Sequence, residues 1–249
     1  MIKIYEELKE KFYKIKEKGW VESKRLDYGA IGTTFENQLD IENNEFELPD
    51  FKGIEIKTKT KDSDSYITLF SCAPTGPHYH EIERLKDTYG YPDSKLSKFK
   101  VLNATLQSNY ATRIGKNYFF KLRIDSKEKK IFLLIFDNKH KLVEKLVYWD
   151  FDILEEKLYR KMQHLCFVKA YKKIMYRKKY FKYYEMRIYN LKNFEKFISL
   201  ISGGIIKISF KIGIYRSGKY IGKIHDHGTS IVIKEENLEK LYTLIDFFN

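Results

Sequence analysis

The sequence has little cysteine, no long apolar stretch and no surplus of acidic residues, and each absence excludes a class of protein. Only Cys72 and Cys166 are present, too few for a disulfide scaffold or an all-cysteine zinc site. The longest purely apolar run, from Ile131 to Phe136, is far shorter than the ~20 residues that a membrane helix requires. Lysine and glutamate alternate along the start of the chain, a pattern that a secretory signal peptide does not show. We therefore expect a globular cytoplasmic protein without a membrane partner.

Basic residues exceed acidic residues, and the excess is concentrated in one segment. The chain has 47 Lys and Arg against 34 Asp and Glu, a formal net charge of +13. Residues 156–187 contain 11 of the basic side chains and only two acidic ones. Such a segment favours a nucleic-acid partner, because each neutralised phosphate releases counterions. A lysine-rich solvated surface would produce the same composition and is the alternative.

The periodicity of the apolar residues predicts a mixed α/β (α+β) fold with more strands than long helices. Apolar residues make up 43% of the chain, which is enough for a core. Because no repeat or low-complexity linker occurs, we expect two lobes that share contacts, residues 1–168 and 169–249. The predicted helices are 3–18, ended by Gly19, then 33–41 and 151–167, with helix followed by strand up to Arg187. The predicted strands are 54–57, 66–70, 119–124, 131–136, 205–215 and 229–234, with a loop from Asn43 to Pro49 and an irregular segment at 75–116.

One short segment, from Leu48 to Lys57, combines the residue types needed to hydrolyse a phosphodiester bond. On a strand, Glu55 and Lys57 lie on one face while the neighbouring isoleucines pack on the other. Asp50 comes from the preceding loop, and Gly53 permits a sharp bend. Two carboxylates with open water positions suit Mg²⁺, and the Lys57 ammonium would orient a water or stabilise developing negative charge. The segment therefore predicts a site for phosphodiester hydrolysis.

The Glu-x-Lys pattern is not specific by itself. It also occurs at 7–9, 22–24, 128–130 and 155–157, in charged segments that are typical of solvated helices and turns. Only Glu55 and Lys57 lie in an apolar alternation that follows a Pro-Asp pair. The alternative for these two residues is a surface ion pair on an edge strand.

Further motifs accompany this segment in a fixed order along almost the whole chain. They are Gly32–Asn37, Leu48–Phe51, Ile54–Thr58, Leu69–Phe70, Pro74–Thr75, Tyr89–Gly90, Val147–Trp149 with Phe151–Asp152, Ile212–Lys219 and His225–Thr229. This ordered set resembles the MvaI/BcnI family of type II restriction endonucleases. The gap between Asp50 and Glu55 is similar to that of its MvaI-like branch.

The resemblance implies a PD-(D/E)XK nuclease with a restriction-endonuclease-like, MutH-like fold, in which a core sheet is flanked by helices and two lobes form a DNA-binding cleft. Residues 1–168 would be the catalytic lobe and residues 169–249 the basic recognition lobe. The resemblance also implies a monomer that cuts double-stranded DNA at a five-base-pair CC-x-GG site, with a cognate methyltransferase encoded separately. Family members use Mg²⁺, for which Mn²⁺ can substitute.

The resemblance also assigns roles to individual residues. Asp50, Glu55 and Lys57 match the family's catalytic positions, and the metal would be held by Asp50, Glu55 and the Ile56 backbone carbonyl. Glu36 matches an acidic helical residue near the active site of related enzymes and is a further catalytic candidate. Thr33 to Glu36 also fits a capping box, in which the Glu36 carboxylate would hold the Thr33 amide. The two roles are not exclusive, and both stay open.

The His225-Asp226-His227 segment is predicted to be a loop that reads G·C base pairs in the major groove. Histidine can donate to guanine and aspartate can accept from cytosine, whereas two histidines without a nearby cysteine are a poor zinc site. A loop histidine satisfied by its own neighbours is the alternative. Ser209 and Lys211 stand where MvaI-like enzymes carry Asp and Arg, which favours a relaxed or altered site. The predicted DNA-binding residues are Ser209, Lys211, Arg216, Lys219, Lys223, His225, Asp226 and His227.

Two other functions compete with this interpretation. A MutH-like repair endonuclease would use the same chemistry to nick one strand. A sequence-specific DNA-binding protein that does not cleave would explain the charge, but it has no need for three convergent charged side chains at 50, 55 and 57. The sequence therefore favours a type II restriction endonuclease.

Overall fold

The computed structural model of the chain describes residues 1–41, 48–78 and 80–249, without the side chains of residues 226 and 227. Most of the predicted loop from Asn43 to Pro49 lies outside the described residues. The helices in the described ranges are α1 (Ile2–Glu17), α2 (Ala30–Gln38), α3 (Glu81–Tyr89), α4 (Phe151–Met162), α5 (Phe194–Ser202) and α6 (Leu238–Leu241). No helix among these is long and apolar enough to cross a membrane.

The strands outnumber the helices and are interspersed with them along the chain, as expected for a mixed fold. They are β1 (Val21–Glu22), β2 (Glu55–Thr60), β3 (Ile67–Ser71), β4 (Tyr91–Pro92), β5 (Lys100–Leu106), β6 (Thr112–Ile114), β7 (Tyr118–Asp125), β8 (Lys130–Asp137), β9 (Leu142–Glu144), β10 (Tyr148–Asp150), β11 (His164–Met175), β12 (Lys178–Leu191), β13 (Lys207–Ile214), β14 (Ile224–Ile233) and β15 (Tyr242–Phe248). The predicted strands are all found, with ends that differ by a few residues.

The chain forms two compact units, and each is discontinuous in sequence. Unit 1 contains residues 1–65, 158–192 and 239–249, and unit 2 contains residues 66–157 and 193–238. The predicted division had a single boundary after residue 168. The structure divides the chain differently because β11 pairs in parallel with β2, and β12 pairs with β15. Segments that are distant in sequence therefore join one sheet, and the periodicity of apolar residues along the chain does not show which strands pair.

Unit 1 is built on a sheet in the order β1-β12-β11-β2, with β15 also paired to β12. Helices α1 and α2 pack on this sheet. Leu8, Phe12 and Ile15 recur at helical spacing, and all three are buried in the same core as Phe35 of α2. Burying each such side chain contributes about 1.5–3 kcal/mol. The chain leaves α1 at Gly19, where φ is +68°, so the predicted end of this helix is confirmed.

Unit 2 contains two sheets. One has the order β3-β14-β13-β5-β4, and the other has the order β10-β8-β7-β6 with β9 beside β8. The predicted antiparallel hairpin is confirmed, since β7 and β8 pair from Tyr118 with Asp137 to Asp125 with Lys130. The Trp149 side chain is fully buried and donates to the Cys72 carbonyl at 3.1 Å. Strand β14 lies between β3 and β13 in the first of these sheets.

The secondary-structure predictions for the segment 75–116 and for the basic segment were wrong. The segment 75–116 is not irregular, because it contains α3 and the long strand β5. The basic segment is not a helix followed by a strand but a hairpin of β11 and β12, which turns at Tyr176 and Arg177 with φ of +49° and +62°. Leu165 to Val168 are all buried, and a short apolar run covered on both faces has no periodicity that separates strand from helix.

Candidate active site

A tight turn places Asp50 beside strand β2. Phe51 and Ile54 exchange both backbone hydrogen bonds, at 2.9 and 2.8 Å, so the chain reverses within the two residues between them. Those residues, Lys52 and Gly53, have φ of +47° and +90°. Glycine adopts this left-handed backbone without steric cost. The sharp bend expected at Gly53 is therefore present, and it returns the chain along its own path.

The carboxylate of Asp50 is fixed to the start of β2 by a hydrogen bond from the strand backbone. The Ile56 amide donates to Asp50 Oδ2 at 2.8 Å. On its other side β2 pairs with β11, where Cys166 is the partner of Ile56. The N–H and C=O of one strand residue point to the same side of the strand. The Ile56 carbonyl oxygen therefore faces the same edge of the sheet as Asp50.

Glu55 and Lys57 meet on the same face of β2, as predicted. Lys57 Nζ contacts Glu55 Oε1, and a second ammonium, Lys161 Nζ, lies 3.5 Å from the same oxygen. The Glu55 side chain is only 1% exposed, whereas Lys57 is 24% exposed. Glu55 Oε2 is buried and has no hydrogen-bond partner in the described part of the chain. A surface ion pair is excluded, because the carboxylate is buried and half of it lacks a partner.

Glu36 faces this group from α2, and the capping-box prediction for it was wrong. Helix α2 begins at Ala30, so Thr33 already lies inside it, and the Thr33 amide donates to the Gly29 carbonyl at 3.2 Å. The Glu36 carboxylate instead lies over Gly32, where an added Cβ would be 3.4 Å from Glu36 Oε1 and from Thr58 Oγ1. Helix α2 therefore brings Glu36 to β2.

The carboxylates of this site are held close together in a poorly hydrated place. Burial raises the pKa of Glu55; Lys57 opposes that shift, and the Asp50 charge adds to it. Burial also raises the pKa of Glu36, and Asp50 again adds to the shift while Lys57 opposes it. Buried like charges and a partnerless carboxylate oxygen favour a bound cation. Over the described ranges no three Asp, Glu, His or Cys side chains are arranged to hold a metal ion by themselves, so backbone or solvent oxygens would complete the shell.

The predicted DNA-binding residues of unit 2 lie on β13, on β14 and in the loop between them. Lys211 is exposed on β13. Ser209, on the same strand, is buried, and its hydroxyl is 3.2 Å from Thr105 Oγ1. Its side chain is therefore engaged inside the sheet.

His225 lies in a strand and not in a loop, so that prediction was wrong. It belongs to β14 and pairs with Gly213, and Asp226 pairs with Ile212. The His225 ring stacks on Tyr215 with centroids 4.3 Å apart. The side chains of Asp226 and His227 lie outside the described residues. The connecting loop is 215–223.

The loop 215–223 carries the remaining predicted contacts. Lys219 and Lys223 lie over the Tyr220 ring, with Nζ 4.8 and 5.3 Å from its centroid. Arg216 is bound to Asp93, with Arg216 Nη2 2.7 Å from Asp93 Oδ2. The structure thus brings Arg216, Lys219, Lys223 and His225 to one end of the β13–β14 hairpin, while Lys211 and Ser209 lie further along β13.

Sequence reasoning missed three residues that touch these predicted sites. Lys161 is in a charged helix of the kind that was interpreted as solvated, and no local signal distinguishes it. Asp93 follows a Tyr-Gly-Tyr-Pro stretch and carries no motif. Tyr215 was part of a family motif, but its stacking on His225 depends on strand register. Only the register and tertiary packing identify these residues.

Comparison with known proteins agrees with the fold. A family model described as the MvaI/BcnI restriction endonuclease family matches residues 9–242. A solved complex of the restriction endonuclease MvaI with its cognate DNA substrate is 35% identical to this chain, covers 96% of each chain and has a TM-score of 0.88. A solved structure of MvaI in the absence of DNA is 33% identical, covers 100% of this chain and 99% of that one, and has a TM-score of 0.63. No curated protein matches the chain.

Proposed function

Since this chain belongs to the MvaI/BcnI restriction endonuclease family, we propose that it is a type II enzyme that hydrolyses both strands of duplex DNA at a short CC-x-GG site. The observation that carries the proposal is the convergence of Asp50, Glu55 and Lys57 on one end of β2. The similar MvaI structure contains a cognate DNA substrate, which supports DNA as the substrate here. Restriction endonucleases use divalent metal ions, and we propose Mg²⁺, with Mn²⁺ as a substitute.

Asp50, Glu55 and the Ile56 carbonyl would hold the metal ion. The supporting observation is the buried Glu55 Oε2, which has no partner among the described residues, together with the Ile56 carbonyl on the Asp50 side of the strand. These are hard oxygen donors of the kind that Mg²⁺ selects. When bound, such an ion polarises a phosphate oxygen and lowers the pKa of a coordinated water.

The other residues of the site act through charge. Lys57 would hold the attacking water and stabilise the negative charge that develops on the phosphate. Glu36, with its raised pKa, would retain a proton more readily than an exposed glutamate and so limit the repulsion between the carboxylates. Lys161 would offset the negative charge of Glu55 before the metal ion binds.

Unit 2 would read the DNA sequence. We assign base and phosphate contacts to Ser209, Lys211, Arg216, Lys219, Lys223, His225, Asp226 and His227. Lys211 supplies a point charge and not a planar fork, so it would discriminate less strictly than an arginine. The proposal includes action as a monomer, a cytoplasmic location beside the DNA, and a cognate methyltransferase that protects the host site.

Digestion of a plasmid of known sequence with Mg²⁺, followed by mapping of the ends, tests the proposal. Asp50→Ala and Lys57→Ala should abolish cleavage and leave specific binding in Ca²⁺ largely intact. Linear product with a fixed end sequence supports a restriction endonuclease. Open circles alone would indicate a nicking repair enzyme, and site-specific binding without product would indicate a DNA-binding protein. Cleavage by either variant at the wild-type rate would place the active site elsewhere.

A further inference from the structure

A buried carboxylate holds Arg216, the arginine among the predicted DNA-binding residues. Arg216 Nη2 lies 2.7 Å from Asp93 Oδ2, and Arg216 Nε lies 3.2 and 3.3 Å from the two carboxylate oxygens. The Asp93 side chain is 1% exposed, whereas Arg216 is 50% exposed. The pair therefore has an anchored inner partner and an outer partner that reaches the surface.

Asp93 is itself fixed by the turn in which it lies. Its Oδ1 accepts the amides of Lys95 and Leu96, each at 3.0 Å, and its own amide donates to the Phe99 carbonyl at 2.8 Å. The Arg216 guanidinium and these two amides lower the pKa of Asp93 to about 2. The carboxylate thus has one orientation and stays charged at neutral pH.

The loop 215–223 is closed by its own backbone hydrogen bonds and packs against the turn that contains Asp93. The Tyr215 amide donates to the Lys223 carbonyl at 2.9 Å, and the Gly222 amide donates to the Tyr215 carbonyl at 2.8 Å. Gly222 has a φ of +81°, and an added Cβ would overlap the Phe99 ring. The two segments therefore pack tightly at Gly222 and Phe99 as well as through the ion pair.

Arginine has more donors than Asp93 uses. Its planar guanidinium carries five N–H groups, and Asp93 accepts from Nε and one Nη2 hydrogen, so among the described residues the end formed by Nη1 and Nη2 keeps two parallel donors. Arg216 lines an open pocket of about 480 Å³ together with Tyr215, Ser217, His225 and Asn103. Two parallel donors of a fixed guanidinium match the N7 and O6 acceptors of guanine.

We propose that Asp93 is a positioning residue for DNA recognition, which holds the plane of Arg216 so that its free end reads a guanine of the recognised site. The inference rests on the proposed function, because it needs unit 2 to contact DNA. Asp93 touches no DNA in this scheme and acts entirely through Arg216.

A double-mutant cycle tests the inference, with competition binding in Ca²⁺ between the site and its single-base variants. Arg216→Ala should reduce discrimination at one G·C pair by about 5- to 150-fold. Asp93→Ala should reduce it at that same pair, and the double variant should be no worse than Arg216→Ala alone. Asp93→Asn keeps an acceptor for the turn amides but loses the charge that stabilises the ion pair, so it should still fold, with a lower melting temperature, and lose discrimination.

The β7–β8 turn offers a matched control. Asp125 accepts hydrogen bonds from the amides of Lys127 and Glu128 at 3.2 and 3.1 Å, and its Oδ2 lies 3.3 Å from Arg123 Nη2. Like Asp93, it therefore binds two turn amides and an arginine, but in a different turn. Asp125→Ala should leave discrimination unchanged. If Asp93→Ala lowered discrimination further in the Arg216→Ala background, Asp93 would be only structural. If Arg216→Ala weakened binding equally for every DNA sequence, Arg216 would contact a phosphate and not a base, and the inference would be overturned. A wild-type protein without site preference would instead refute the proposed function.

Discussion

Replacing Lys161 with methionine removes one of two ammonium groups that face the buried Glu55 carboxylate. Lys161 Nζ is 3.5 Å from Glu55 Oε1, and the two side chains are 18% and 1% exposed. Methionine keeps much of the apolar packing of the lysine stem, so the change is mainly one of charge. Removing one partner of a buried pair costs about 3–5 kcal/mol, but Lys57 remains in contact with the same oxygen. We therefore expect the free energy of unfolding to fall by about 1–2 kcal/mol.

A divalent cation should reverse part of this loss. Lys161 and a bound cation compete for the same carboxylate, so the variant should bind Ca²⁺ more tightly and gain more stability from it than the wild type. Urea unfolding in EDTA and in Ca²⁺, without DNA, measures both effects. Lys161→Arg retains the charge and should behave as the wild type does. If Lys161→Met matched the wild type in stability and in its response to Ca²⁺, Lys161 would not be a partner of Glu55.

Further predictions follow from individual contacts. Gly32→Ala should stabilise α2 by about 0.5–1 kcal/mol in urea unfolding, because the added methyl group would meet Glu36 Oε1 and Thr58 Oγ1 at 3.4 Å, an ordinary contact distance, and a loss of stability would show that this helix face cannot accept the methyl group. Lys172→Gln should make the slope of log K against log salt shallower by about 0.9, whereas Lys178→Gln should change it less, since Lys178 pairs with an acidic neighbour at 2.8 Å. The folded-state pKa of Asp93 is about 2, below its ordinary 3.8, so its stabilising effect is complete above pH ~4 and is lost as the pH falls toward 2. Acid unfolding of Asp93→Asn should consequently show a smaller loss of stability in that window than the wild type.

Features that depend on neighbouring residues could be predicted from the sequence alone. The spacing of Leu8, Phe12 and Ile15 identified α1, and the β7–β8 hairpin was found with its turn. The short segment containing Asp50 and Lys57 has the bend and the common face that were expected, because a glycine turn and a strand are set by local backbone preferences. That these side chains are catalytic stays a prediction.

Other features depended on segments that are distant in sequence. Leu165 to Val168 form a strand because β2 and β12 cover both edges of β11, and an apolar run alone does not separate a strand from a buried helix. That parallel pairing also brings the end of α4, with Lys161, to Glu55. In each case the energy comes from burial and hydrogen bonds between remote segments, so only the tertiary structure determines which residues complete the site.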